Sequence, residues 1–419
     1  MESYAQVLNY GIPFFLFLIA IEWVASRYKG MVVANSMDTI SSLSSGMTNA
    51  IKDVLELTII IISYGWMVDY LAIFDIQSTI SLYILAFIGK DFAGYWGHRF
   101  EHKINLLWNR HIIHHSSEEY NLACALRQNV SVVFSIFFFL YIPLAILGVP
   151  QKVIAIVAPL QLFAQFWYHT RLIGKMGWLE NIIVTPSHHR VHHAINPEYM
   201  DKNFAQIFIV WDKLFGTFQE ELEHVPPVYG ITRPVKTWNP ILINLQHFWL
   251  LVKDAWRARS WWDKIRIWFM PTGWRPTDVE QRFPVFAIEN VYQQQKYNPA
   301  SSLELKFWSW FQLFFHFALM LYGFNHIAEF SFTTSILHGG VIVLSVFSYT
   351  TLMDRNPLAI WTEAVKFVVG LALMYGMNGW FRIEEYFRFG NLFMIAYLII
   401  SFLVAVYFSR QKSGLQQFH

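Results

Sequence analysis

Residues 91–127 read DFAGYWGHRFEHKINLLWNRHIIHHSSEEYNLACALR, and the rest of the chain is best understood from them. They hold five histidines in two spacings: His98 and His102 as H-x-x-x-H, then His111, His114 and His115 as H-x-x-H-H. Offsets of three and four residues put side chains on one helical face, about a turn apart. A metal ion can be gripped from such a face. Further along, His188-His189-Arg190-Val191-His192-His193 repeats the second spacing. Asp91, Tyr95, His98 and His102 also follow one another at helical offsets and form a continuous stripe.

Outward from this stretch the chain is strongly apolar. Of 419 residues, 55% are hydrophobic, 18% aromatic and only 14% charged, where soluble proteins carry nearly twice that charge. The expectation is an all-α integral membrane protein, a multi-span helix bundle with a cytoplasmic, histidine-rich di-metal cap. A formal net charge of +2 gives no reason to expect a nucleic-acid partner. The single cysteine, Cys124, excludes an internal disulfide framework and a thiolate cluster, so a metal here must rely on imidazole and oxygen. The N-terminus lacks the basic region and small-residue cleavage site of a signal peptide, so its apolar run reads as a retained span.

Apolar runs long enough to span begin with Val7–Val24, Val54–Phe74, Ile80–Trp96, Val130–Val149 and Val153–Tyr168. After a mixed, proline-punctuated stretch come Phe307–Asn325, Ser335–Leu352, Leu358–Met377 and Leu392–Phe408, about nine in all. This divides the chain into N-terminal spans (1–79), a histidine-box catalytic core (80–235), an interfacial region (236–303) and C-terminal spans (304–419). Polar residues look sparse in the last four runs. If the spans alternate, Arg27, Lys29, Lys52, Arg99, Lys103, Arg110, Arg171, Lys175, Arg410 and Lys412 fall on one side. The enrichment of Lys and Arg in cytoplasmic loops makes that side the cytoplasm, and the histidine blocks share it. Residues 256–270, WRARSWWDKIRIWFM, mix Trp with Arg and Lys as a segment lying among headgroups does.

His98, His102, His111, His114, His115, His189, His192 and His193 make eight candidate ligands, and His169 in FWYHTR is a ninth. One transition metal rarely takes more than six, so convergence of this many requires two ions. Neutral imidazole suits Zn, Cu, Fe and Ni alike. His188 reads as a supporting residue beside the ligands. His224, His247, His316, His326, His338 and His419 stand alone and read as ordinary hydrogen-bonded histidines. Ligating imidazoles need acceptors for their other N–H, and Asp91, Glu101, Glu118, Glu119 and Asp212 are the nearby carboxylates. Lys90 and Asp91 are costly within an apolar run and either serve function or pair with each other.

In order and spacing these blocks resemble the fatty acid hydroxylase and sterol desaturase superfamily. WNRHIIHHSSEEYNLACALRQN, the segment from FWYHTR to FGTFQEE, and VYGITRPVKTWNP resemble its alkylglycerol monooxygenase branch. The resemblance implies a non-haem di-iron centre held by the eight boxed histidines, with His169 as a further match. It implies O₂ and a lipid C–H bond as substrates, and oxidative cleavage of ether lipids to a glycerol derivative and fatty aldehyde. Glu101 and Asp212 are the expected catalytic carboxylates, although the Trp211-Asp212-x-x-Phe215-Gly216-Thr217 block equally suits a structural role. Asn121, Arg127 and Gln128 are expected as headgroup or supporting contacts. The branch also implies tetrahydropterin as reductant, where a ferredoxin or cytochrome could serve instead. One departure is Asn203-Phe204-Ala205, where relatives commonly carry Asn-Tyr-Gly. The alternatives are a sterol or fatty-acid hydroxylase or desaturase on the same centre, a zinc-dependent membrane hydrolase, and a metal-binding or transport protein without turnover.

Overall fold

The computed structural model describes residues 1–411 and is mostly helical. Lys412 and His419 lie outside the described residues. Helices α1 (Glu2–Tyr28) and α2 (Ser36–Val54) are antiparallel: the terminal amine of Met1 meets Glu56 at 2.7 Å where α1 begins and α2 has ended. Sequence reading placed no helix at α2, because SMDTISSLSSGMTNAIKDV is rich in Ser and Thr. Several of its hydroxyls are absorbed within the helix, as when Ser42 donates to Asp38 O at 2.9 Å and Ser44 to Ile40 O at 2.6 Å, and most of its residues are buried in protein. The Asn35 side chain caps its start, accepting from the Met37 and Asp38 N–H groups.

Two expected spans are corrected. Val54–Phe74 is not one helix: the chain turns at Glu56 (φ 53°), forms a two-residue strand β1 (Ile59–Ile60), then a short helix α3 (Tyr64–Leu71). Val130–Val149 is likewise broken into β2 (Phe134–Ser135), a 3-10 turn (Phe137–Tyr141) and α7 (Ile142–Ile146), with β1 and β2 paired in parallel. Apolar content alone cannot tell one continuous helix from several short pieces packed on each other.

Between these pieces run α4 (Ile80–Lys103), α5 (Asn105–Trp108) and α6 (Ile112–His115). After them come α8 (Gln151–Ala164), α9 (Pro186–His192), α10 (Val210–Leu214), α11 (Pro240–Arg257), α12 (Trp261–Arg266) and α13 (Thr277–Arg282). The chain closes with α14 (Leu303–Asn325), α15 (Phe332–Met353), α16 (Ala359–Gly376) and α17 (Gly390–Arg410). Among the described residues, four helical stretches are long and apolar enough to cross a membrane, Tyr4–Tyr28, Phe332–Met353, Ala359–Gly376 and Gly390–Arg410, in place of the nine expected. In the segment 256–270, Trp256, Trp261, Trp262 and Phe269 are all exposed beside its cations.

The main core joins α2 to α14–α17, with Met47, Met320, Ile342, Tyr349 and Leu398 buried in it. Polar groups are not sparse there. Lys366 donates to Glu363 (2.9 Å) and Ser401 (2.7 Å), and Tyr397 donates to Gln312 (2.7 Å), all of them buried. For the site, the decisive feature is direction. Leu82 of α4 packs with Val153 of α8, and further along both helices Lys90 donates to Gln161 at 2.9 Å, so the two helices run the same way. Their C-terminal ends, carrying His98 and His102 and leading to His169, emerge together. Near the end of α1, Glu22 accepts from Leu122 N–H (2.7 Å) and Thr170 Oγ1 (2.6 Å) and fastens that helix to the same region.

Candidate metal centre

The nine histidines converge and divide into two groups. His98, His102, His111, His115 and His192 form one, and His114, His169, His189 and His193 the other, each with its potential ligand atoms within 4.8 Å of one another. The H-x-x-H-H blocks are split between the groups, because adjacent residues on a helical turn point to different sides. His115 and His192 therefore face the first group while their neighbours His114 and His193 face the second.

Backbone carbonyls set the tautomers. Nδ1 of His98 lies 2.7 Å from Phe204 O, Nδ1 of His114 3.3 Å from Arg127 O, and Nδ1 of His169 3.0 Å from Gln165 O. A carbonyl only accepts, so each Nδ1 carries the proton and each Nε2 presents a lone pair. His114 Nε2 and His169 Nε2 then stand 3.2 Å apart with no proton to bridge them, and His189 Nε2 is 3.0 Å from both His169 Nε2 and His193 Nε2. A cation relieves that opposition. In the first group, Nε2 of His102, His115 and His192 are buried without a partner among the described residues. Burial first, then the neighbouring imidazoles, holds His111, His115, His189 and His193 well below the ordinary imidazole range, so they stay neutral and ligand-competent. The residues fit two metal ions bound by nitrogen.

Among the described carboxylates, only Glu101 lies close to both a clustered histidine and the cavity described below. Its Oε1 accepts from Arg110 Nε at 3.0 Å, its Oε2 is 3.7 Å from His111 Nδ1, and burial pushes it up to about 7 against the pull of Arg110. Asp201 approaches His102 Nδ1 at 3.9 Å, a contact that sequence reading did not single out. Asp212 accepts from the N–H groups of Phe204 and Ala205 (2.8 Å each) and from Thr217 Oγ1 (2.7 Å). It thereby fixes the loop whose Phe204 carbonyl orients His98. Asp91 accepts from Ile207 N–H, Phe208 N–H and Trp211 Nε1 on the same loop, while Lys90 turns to Gln161 instead of pairing with it. The stripe Asp91, Tyr95, His98, His102 is buried throughout and carries both the loop and the ligands.

The remaining expected contacts sit apart from the clustered imidazole nitrogens. His188 Nδ1 accepts from Thr185 N–H in the cap of α9. Asn121 donates to Val33 O at 2.8 Å. Arg127 is buried and donates to Ser42, Ser116 and Asp38, and its carbonyl is the one that orients His114. Glu118 holds the Tyr297 backbone and Glu119 pairs with Lys296 at 2.8 Å. Of the isolated histidines, His224, His247, His316, His326 and His338 join neither group. The left-handed residue of the 203–205 turn is Asn203 (φ 55°), a type that tolerates that region, so alanine at 205 is accommodated.

A cavity of about 590 Å³ reaches the histidines, with His98, His111, His114, His169 and His189 in its wall. Leu8, Ile12 and Phe15 of α1, Leu162 on α8 and Phe317 on α14 make much of it apolar. A cavity of this size and lining has room for an alkyl chain beside the clustered histidines.

Residues 83–217 match the Fatty acid hydroxylase family. The chain is 33% identical over 394 residues to the alkylglycerol monooxygenase of Homo sapiens, covering 94% of this chain and 85% of that protein. With the alkylglycerol monooxygenase of Xenopus tropicalis it is 34% identical over 380 residues, 89% of this chain and 83% of the other. A shorter match, 30% over 145 residues, joins it to the ornithine lipid hydroxylase OlsE of Rhizobium tropici, over 34% of this chain and 42% of that one. No solved structure matches the chain. The histidine groups, the apolar cavity and these full-length similarities together make this chain a member of the alkylglycerol monooxygenase family, membrane oxidoreductases built on a fatty acid hydroxylase domain.

Proposed function

We propose that this protein is a di-iron monooxygenase that cleaves alkylglycerol ether lipids with O₂, giving a glycerol derivative and a fatty aldehyde. The observation that carries this reading is the division of nine histidines into two nitrogen-only groups at the wall of an apolar cavity. Iron held by the two groups would, with O₂ and a reductant, supply an oxidant able to take hydrogen from an unactivated C–H bond. The protein's part is to hold the lipid still and keep water away. Apolar side chains of α1, α8 and α14 grip the alkyl tail, so that the carbon beside the ether oxygen rests at the histidine face. Glu101, braced by Arg110, is the carboxylate placed to hold or move a proton there. Asp212, Asp91 and His188 act by positioning the ligands. Hydroxylation beside the ether oxygen gives a hemiacetal, which falls apart without an amino-acid nucleophile.

In this reading residues 80–235 form the catalytic core, flanked by membrane segments at 1–79 and 304–419 and by an interfacial region at 236–303. The core faces the cytoplasm. That orientation rests on Arg27, Lys103, Arg110 and Arg171 accompanying the histidines, whereas antiparallel α2 carries Lys52 back toward the start of α1. Electrons come from that side, with a tetrahydropterin as the reductant.

The test is iron-loaded protein supplied with O₂ and tetrahydropterin, offered an alkylglycerol beside a sterol and fatty-acid panel. Fatty aldehyde that requires both co-reactants is the expected product. Oxidised sterol with intact ether lipid would move the assignment to another branch, and product formed without O₂ would point to a zinc hydrolase.

A further inference from the structure

The cavity is not uniformly apolar. A single hydrogen-bonded strip of polar groups lines one part of its wall: Arg110 Nε donates to Glu101 (3.0 Å), Asn129 Nδ2 donates to the Arg110 carbonyl, and Lys52 Nζ donates to Asn129 O (3.3 Å). Lys52 pairs with Asp53 at 3.1 Å, and Asn49 Nδ2 donates to Asp53 Oδ2 at 2.8 Å. Charged side chains bordering a lipid cavity are costly, and they persist where they serve a polar ligand group or one another. This strip does the second already, and it has capacity for the first. Among the described residues Lys52 has two partners for its three N–H bonds, and Asp53 keeps acceptor positions unfilled, so the pair can both donate and accept. A hydroxyl needs both.

We infer that the strip from Asn129 through Lys52 and Asp53 seats the hydroxyl-bearing head of the lipid and selects a neutral head over an anionic one. The inference rests on the ether-lipid reading, because a carbon oxidised beside the ether oxygen keeps the head within a few bonds of the metal-binding face. The strip begins there, at Glu101, 3.7 Å from His111. Each cation on it is already matched, Arg110 by Glu101 and Lys52 by Asp53. A phosphate would bring only acceptors and meet the carboxylate of Asp53.

The experiment measures equilibrium binding and turnover of an alkylglycerol and of its 3-phosphate monoester by the full-length, iron-loaded protein in detergent. Wild type is expected to prefer the neutral lipid. Lys52→Met should raise KM for the alkylglycerol by about fivefold, with Lys52→Arg recovering most of the loss. Asp53→Asn leaves Lys52 unmatched and should shift the binding ratio toward the phosphate by about tenfold, one decade of affinity. Asn49→Asp adds charge and should move the ratio the other way, so the inference stays testable if Asp53→Asn does not fold. A ratio unchanged in both Asn49→Asp and Asp53→Asn overturns it, as does a wild type that binds neither lipid. Binding with the expected preference but without oxidation contradicts the proposed reaction and leaves the head site standing.

Discussion

A histidine whose Nδ1 proton is committed to a carbonyl offers only a lone pair from its other nitrogen, and this chain arranges several such lone pairs against each other. What sets each ring is the loop behind it. Asp212→Ala strands the buried N–H groups of Phe204 and Ala205, each unmet donor costing about 1–3 kcal/mol. A lower melting temperature and weaker metal retention are expected together, and Asp212→Asn, which keeps one acceptor, should lose less of both. Unchanged iron content in Asp212→Ala would remove its positioning role. His247 gives a pH prediction away from the metal: burial pushes it down to about 4, and its Nε2 lies 3.1 Å from Asn105 O. Its folded value lies below the unfolded one of about 6.5, so the unfolded chain takes the proton first. Stability is full above about pH 6.5, falls as pH drops through it, and levels off near 4, a loss on the order of 3 kcal/mol. Acid melting curves of wild type and His247→Gln should diverge in that window. The clustering of the histidines was legible in the sequence because imidazoles at offsets of three and four advertise a shared face. Their carbonyl partners were not, since any residue carries a backbone oxygen and only the fold brings Phe204, Arg127 and Gln165 to the rings.

At the scale of elements, hydropathy misled in both directions. It credited Val54–Phe74 and Val130–Val149 with single spans that are short pieces, and it passed over α2, several of whose Ser and Thr hydroxyls bond back to the helix's own carbonyls. The signal that was available at α2 is its cap, Asn35 ahead of a helical run. This helix matters to the site because Asp38 on it pairs with Arg127 at 2.7 Å, both side chains almost wholly buried, and Arg127 also carries the carbonyl that orients His114. Asp38→Ala leaves a buried guanidinium unmatched, with an expected cost of about 3–5 kcal/mol. Replacing both partners by apolar residues, Asp38→Leu with Arg127→Met, should restore most of the melting temperature. A double variant as unstable as the single one would mean that the pair does more than satisfy itself.

The whole molecule works by bringing chain ends to one place. α4 and α8 run the same way, α1 is fastened beside them through Glu22, and the second histidine block folds back over their ends. The bundle of α2 with α14–α17 is held partly by the buried Glu363–Lys366 pair and its partners Ser401, Tyr397 and Gln312, which lie too far apart in sequence to be read as a cluster. The helical class, the histidines that converge and the family were readable in the sequence, while the grouping of those histidines into five and four was not, because it depends on which side of each turn faces which neighbour. That grouping is the central claim, and metal analysis of protein made in iron-rich medium tests it most directly. Two irons per chain are expected in wild type, with His115→Ala and His189→Ala each losing close to one and retaining the other. Equal metal content in all three proteins, or one metal per chain in wild type, would contradict the two-group centre.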